Sequence, residues 1–251
     1  MPFHLALYSA SIASVAANVQ LAAVADPVLA PAGSGFLVPP VINKIIRVIG
    51  QGNLLNRAQL NSASIRDYTP FDITPVNVGT AIETPVKELW LNDNPLPLNV
   101  NEEIDCFVTN SGAGATQTTV GVVFADGPVS LVRGRVFAVH WTITTTFAAH
   151  GFTNFTPVLD NGIPSGTFAL VGSRLNSATA LFHRFIPRGG LPYRPGTTSM
   201  QAYNQGLNYD ERQCYMGEWL RFTNTTTPQI EAFQLAADAT ADGFMFLIQV
   251  A

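Results

Sequence analysis

After Gly35 the apolar residues come in short runs broken by Pro, Gly, Asn and Asp, and many runs are rich in β-branched and aromatic side chains. Runs of this kind, bounded by turn residues, read as strands. In the first half the pattern predicts strands near Gly35–Val38, Lys44–Ile49, Asp72–Val78, Thr80–Thr84, Glu88–Leu91, Ile104–Thr109 and Thr118–Phe124. In the second half it predicts Arg135–Thr145, Phe152–Val158, Thr167–Arg174, Thr179–Ile186, Glu218–Thr223, Gln229–Ala236 and Gly243–Gln249. Helical spacing occurs in two places. Ile12, Val15, Ala16, Val19 and Ala23 make an apolar stripe over Ser9–Val24, bounded by Pro27 and Pro31, and Leu54, Leu55 and Ala58 repeat over Leu54–Ala63.

The turn tripeptide Asp126-Gly127-Pro128 ends one apolar strand and precedes another, which makes it the best internal boundary. It divides the chain into an N-terminal arm (residues 1–34), a first β-sandwich (35–128) and a second (129–251). About seven strands per half is the arithmetic of a sandwich, which takes about 100 residues with turns every ~8–12 positions. Asp160-Asn161-Gly162 and Asp238–Gly243 are expected hairpin connections. The arm superficially matches a secretory leader ending at Ala23-Val24-Ala25, but no Lys or Arg precedes its apolar run. It is expected to pack on the body or on a neighbouring subunit.

Composition adds a reason to expect neighbours. Of 251 residues, 47% are hydrophobic and 12% charged, enough to bury a core but with little charge to coat a lone monomer. The net charge of -4 and pI near 5.5 argue against a dedicated nucleic-acid binder. Cys106 and Cys214 are too few for a disulfide framework. No run reaches the ~18–20 unbroken apolar residues of a membrane-spanning helix.

Candidate chemistry is sparse. His4, His140, His150 and His183 show no metal-binding spacing, and His140 and His183 read as hydrogen-bonded structural residues within strands. Ser165 in Gly162-Ile163-Pro164-Ser165-Gly166 lacks the strand-to-helix elbow of a hydrolase nucleophile. Gly112-Ala113-Gly114 is not a dinucleotide fingerprint, and neither Lys44 nor Lys87 sits in a phosphate loop. The carboxylates Glu102, Glu103 and Asp105, and Asp238 with Asp242, do not follow calcium-loop spacing. No catalytic residue, metal or cofactor is therefore expected.

Charge distribution is more telling. No acidic residue lies between Asp160 and Asp210, whereas Arg174, Arg184, Arg188, Arg194 and His183 do. The same window holds the long Gly- and Pro-rich run Arg188–Gly217, with Tyr193, Tyr203, Tyr209 and Tyr215. Arginine suits planar contacts to carboxylates or phosphates across an interface. Arg184, Arg188, Tyr193 and Arg194 are accordingly the candidate contacts to another subunit or an anionic partner, the other reading being ion pairs within the same chain.

Two runs carry a resemblance, "DNGIPSGTFALVGSRLNSATALFHRFIP" and "GEWLRFTNTTTPQIEAFQLAADATADGFMFLIQV". With the strand spacing over Gly35–Ala251 and the apolar arm, the chain resembles the double jelly-roll major capsid proteins of tailless icosahedral viruses. The resemblance implies an all-β fold of tandem jelly-roll sandwiches and a homotrimer that tiles a shell. It also implies a virion location and contacts with other virion proteins and with an internal membrane or genome, without specific nucleic-acid recognition. The length is short for that family, so one roll elaborated by an accessory sheet is the other arrangement. The alternative functions are a carbohydrate-binding or adhesive β-sandwich, with Tyr193, Tyr203 or Tyr209 as stacking platforms, and a hydrolase on a sandwich scaffold.

Overall fold

The computed structural model describes residues 3–13, 16–52, 55–66, 71–73, 87–91, 93–110, 116–128, 130–143, 145–177, 179–189, 192–201, 217–234, 237 and 241–251. The chain divides between Asp126 and Gly127 into two compact units, Leu5–Asp126 and Gly127–Ala251, the latter taking in Met1–His4.

In the N-terminal unit the elements are β1 (Phe3–Ile12), β2 (Ala16–Gln20), β3 (Ala22–Ala23), β4 (Ala30–Ala32), β5 (Gly35–Leu37), β6 (Lys44–Gly52), β7 (Leu55–Asn61), α1 (Ala63–Arg66), β8 (Phe71–Ile73), β9 (Lys87–Trp90), β10 (Leu96–Pro97), β11 (Glu103–Asn110) and β12 (Thr116–Ala125). One sheet runs β10-β6-β12-β1-β3 with β9 also on β6, and the other runs β4-β5-β11-β7-β8 with β2 also on β11. Eight principal positions follow one another along the chain: β1, β2 with β5, β6, β7, β8, β9 with β10, β11 and β12. In those positions the sheets read 1-8-3-6 and 2-7-4-5. This is the order of two interlocked Greek keys, a jelly roll.

The C-terminal unit repeats it. Its strands are β13 (Val136–Ile143), β14 (Phe152–Phe155), β15 (Val158–Leu159), β16 (Thr167–Ser177), β17 (Ala180–Ile186), β18 (Gly196–Thr198), β19 (Met200–Gln201), β20 (Leu220–Thr223), β21 (Gln229–Gln234) and β22 (Ala241–Gln249). The sheets run β15-β13-β22-β16-β19, with β20 on β16, and β14-β21-β17-β18. Taking β13, β14, β16, β17, β18, β20, β21 and β22 as positions one to eight gives 1-8-3-6 and 2-7-4-5 once more. The chain is all-β and holds two complete jelly rolls in tandem, not one roll with an accessory sheet.

Strand identity follows from the two-residue side-chain period. Along β11, Ile104, Cys106, Val108 and Asn110 are buried while Glu103, Asp105, Phe107 and Thr109 are less so. Along β22, Ala241, Gly243, Met245 and Leu247 face inward. At Gly243 a Cβ would lie 2.1 Å from the Arg174 carbonyl oxygen and 2.4 Å from the Trp141 ring, so only glycine lets β22 pass between its neighbours there.

Four expectations need correction. A helix was expected over Ser9–Val24 of the arm, but the described residues of 1–34 supply strands to both sheets of the first roll: β1 lies between β12 and β3, and β2 lies on β11. A weak stripe of Ala and Val loses to ladder pairing, because the same β-branched and small residues fit a pleated surface. Leu54–Ala63 likewise gives β7, with helix only at Ala63–Arg66. The run Arg188–Gly217 contains β18 and β19. Asp242, expected in a hairpin turn, lies inside β22, which extends the expected strand Gly243–Gln249 by two residues at its start. The expected strand Thr80–Thr84, most of Asp72–Val78, the turn Ser111–Gly114, residues Tyr203, Tyr209 and Tyr215, and Cys214 lie outside the described residues.

Candidate functional site

Arg184 sits on β17 directly opposite Glu231 of β21 in register. Strand alternation turns its side chain to the sheet face opposite that of His183, and burial is nearly complete at 1% exposure. Its Nε donates to Glu231 Oε2 at 2.5 Å. The guanidinium also lies over the Phe152 ring, 3.7 Å from the centroid, and Phe152 packs edge-on against Phe233. Glu231 Oε1 takes a second arginine, Nη1 of Arg194. One buried carboxylate thus bridges two guanidinium groups from β17 and from the segment before β18. Arg194 also donates its backbone N–H to His4 Nδ1 at 3.1 Å, within the same compact unit.

The approach of β18 that brings Arg194 close depends on Gly196. It pairs with Arg184, and a Cβ there would lie 2.4 Å from the His183 carbonyl oxygen and 2.5 Å from Arg184 Cβ. Desolvating two or three charges is costly, and only the mutual attraction and hydrogen bonds offset that cost. The cluster therefore fixes which strands meet.

Of the two readings kept open for these arginines, partner contacts and ion pairs within the chain, Arg184 and Arg194 show the second, both pairing with Glu231 of their own chain. Arg188 lies exposed in the turn after β17, and Tyr193 is half-buried beside Arg194. Glu231 and Phe152 are the partners that the sequence reading missed. The one available signal was a lone carboxylate in the apolar run Gln229–Gln234.

The histidines divide by environment. His183 is buried on β17, with Nδ1 3.1 Å from Ser199 Oγ and Nε2 3.0 Å from Ser173 Oγ. Ser173 donates its own hydroxyl to the Phe244 carbonyl oxygen at 3.0 Å, so it accepts from Nε2, and Ser199 donates to Nδ1. Burial pulls the His183 pKa down to about 3, and the ring is neutral. His140, on the outer side of β13, has Nδ1 2.5 Å from Asp160 Oδ2 and Nε2 3.5 Å from Asp242 Oδ2. The hydrogen bond to Asp160 raises its pKa above the ordinary histidine value, against a smaller opposing effect of burial, with Asp242 adding to the rise. The two aspartates occupy opposite edges of the ring and do not converge on a point.

Two further carboxylates, Glu102 and Asp105, are also engaged locally. Glu102 is buried; its Oε2 accepts from Ser64 N (2.9 Å) and Ser64 Oγ (2.7 Å), and its Oε1 from Asn99 N (2.9 Å). Asp105 accepts from Gln20 Nε2 at 2.8 Å. Among the described residues, no group of three or more His, Cys, Asp or Glu side chains is placed to hold a metal ion. Burial pushes the Cys106 thiol pKa up, so it stays protonated.

No protein-family model matches the chain, and no curated protein does. Among solved structures, the chain is similar to the major capsid protein P2 from bacteriophage PM2, at 8% identity over 98% of each chain with a TM-score of 0.25. A score that low carries neither fold nor function; the fold rests on the strand order of the two units.

Proposed function

We propose that this chain is a structural subunit of an icosahedral virus shell, a major capsid protein that assembles through copies of itself. The observation that supports this reading is the tandem repeat of one complete jelly roll, 1-8-3-6 against 2-7-4-5 in both units. A duplicated sandwich whose polar interior is spent on internal bonds offers surface, and surface is what a shell subunit works with. In the C-terminal unit, Glu231 ties two arginines together and His183 is closed between two serines. The charge-poor composition points the same way, because 12% charged residues leave little to keep copies apart.

On this reading the subunit has no turnover of its own. It forms a homotrimer, the trimers tile the shell, and other virion proteins and an internal membrane or genome are neighbours. Burial of shape-complementary surface between copies supplies the assembly energy, and closed symmetry limits it to a finite particle. Native mass measurement of the purified chain tests this. A trimer, with larger species at higher concentration, is the expected result, and a monomer at every concentration would refute it.

A further inference from the structure

The first part of the C-terminal unit carries an unusual surface. From Gly127 to Leu159 there is no Asp or Glu, while Arg133 and Arg135 fall within it. Both arginines are exposed, and Arg135 lies over the Phe137 ring at 5.5 Å from its centroid. Leu131 is 76% exposed, Val136 47% and Phe137 39%. Val136, Phe137 and Ala138 are consecutive strand residues and all exposed, so both faces of this end of β13 are open. One edge of β13 pairs with β22 throughout, whereas on the other edge β15 reaches only Trp141 and Thr142. Among the described residues, the backbone of Val136–Val139 has no strand on that edge. The strip combines exposed apolar side chains, a free strand edge and positive charge without a neighbouring carboxylate in sequence.

The charge of the chain indicates what fits there. Residues 1–126 carry five Lys and Arg against ten Asp and Glu, a formal charge of -5, and residues 127–251 carry eight against seven, or +1, together the -4 of the whole. A two-fold contact of this strip with itself would set arginine against arginine. The N-terminal unit, with Asp93 and Glu103 exposed, has the complementary sign. A contact from one unit to the other unit of a different copy is heterologous, so it closes rings or propagates.

We propose that the strip Leu131–Phe137 docks on the acidic N-terminal unit of a second copy of this chain. This inference rests on the self-assembling reading above and names the surface that carries it. The arginines steer and orient the contact, and Leu131, Val136 and Phe137 supply its apolar area.

Sedimentation velocity on the full chain tests it, comparing the parent with the double variant Arg133→Glu/Arg135→Glu and with Leu131→Ser, from low salt to about 1 M NaCl, where the Debye length falls to about 3 Å. All three substituted side chains are exposed, so thermal melting of the variants should match the parent. The parent should associate at low salt and lose at least tenfold in association constant at high salt. The double variant should show that loss already at low salt and little further salt dependence. Leu131→Ser should weaken association while keeping the salt dependence. If the parent assembles and the folded double variant assembles equally well, the arginines merely guard a strand edge and this inference fails alone. A parent that stays monomeric while binding anionic lipid vesicles through Arg133 and Arg135 overturns it in favour of a membrane surface. A parent that stays monomeric without such binding overturns it together with the shell reading.

Discussion

The two units wind their principal strands in the same order but bury different kinds of side chain. The N-terminal unit buries mostly aliphatic side chains, with Leu5, Leu7, Ile45, Val48, Ile49, Leu60, Val120 and Val122 around Tyr8, Phe36 and Phe124, and one fully buried arginine, Arg47. The C-terminal unit buries mainly aromatic side chains, Trp141, Phe147, Phe155, Phe168, Phe182, Phe185, Trp219, Phe222 and Phe233, together with Arg184, Glu231 and His183. One topology thus tolerates two kinds of core. Aliphatic side chains pack without directional demands, while the C-terminal core depends on the protonation and pairing of three particular groups. In the first unit one cross-sandwich bond runs from Tyr8 Oη on β1 to the Ile104 carbonyl oxygen on β11 at 2.6 Å, and buried Glu102 is held by Ser64 and Asn99.

The largest expected effect breaks the C-terminal arrangement. Glu231→Gln removes the charge opposite buried Arg184, and stripping one partner from a buried pair costs about 3–5 kcal/mol. Denaturant unfolding should show that loss, and the paired replacement Arg184→Met/Glu231→Leu should recover much of it. If Glu231→Gln unfolds like the parent, the cluster does not hold this unit together.

Acid should separate the units next. His183 has a folded pKa near 3 against about 6.5 when unfolded, so the unfolded state binds one more proton between those values. Its contribution to stability is full above pH 6.5 and falls by about 1.4 kcal/mol per pH unit on the way down. His140 has the opposite sign. Its raised pKa stabilises fully below about pH 6.5, and the gain fades as pH rises through the folded value. Hydrogen exchange followed unit by unit should show C-terminal protection declining between about pH 6.5 and pH 3, with His183→Asn flattening that decline. Equal decline in parent and variant would remove His183 as its cause.

The smallest effect sharpens the N-terminal side. Tyr8→Phe keeps the ring against Phe36 and removes the bond to Ile104, for a cost of about 1 kcal/mol, the net worth of a typical hydrogen bond. Unfolding midpoints should register it without pH dependence. A loss several times larger would mean that this core is as directional as the other.

How much of this the sequence disclosed depended on the range of the interaction. Strands with clean alternation, such as β11 and β22, were legible because burial on one face writes itself into every second residue. The boundary tripeptide Asp126-Gly127-Pro128 was visible because turn chemistry is local. Residues 9–24 misled, since Ala, Val and Ser satisfy a helical stripe and a strand alike, and their ladder partners are far away: Phe107 and Val108 pair with Gln20 and Val19. The arginine window was visible as composition, but its meaning was not. Glu231 lies 47 residues from Arg184, and only the register of β17 with β21 brings them together. The repeated strand order is likewise a long-range property, with no repeated sequence motif to announce it.

The central claim is that two jelly rolls in one chain serve as a shell subunit, and electron microscopy of the assembled protein addresses it most directly. The account predicts closed particles of uniform size in which each chain contributes two sandwich-shaped densities, about twice as many as there are chains. Preparations that hold only dispersed single chains at every concentration and salt condition would contradict it.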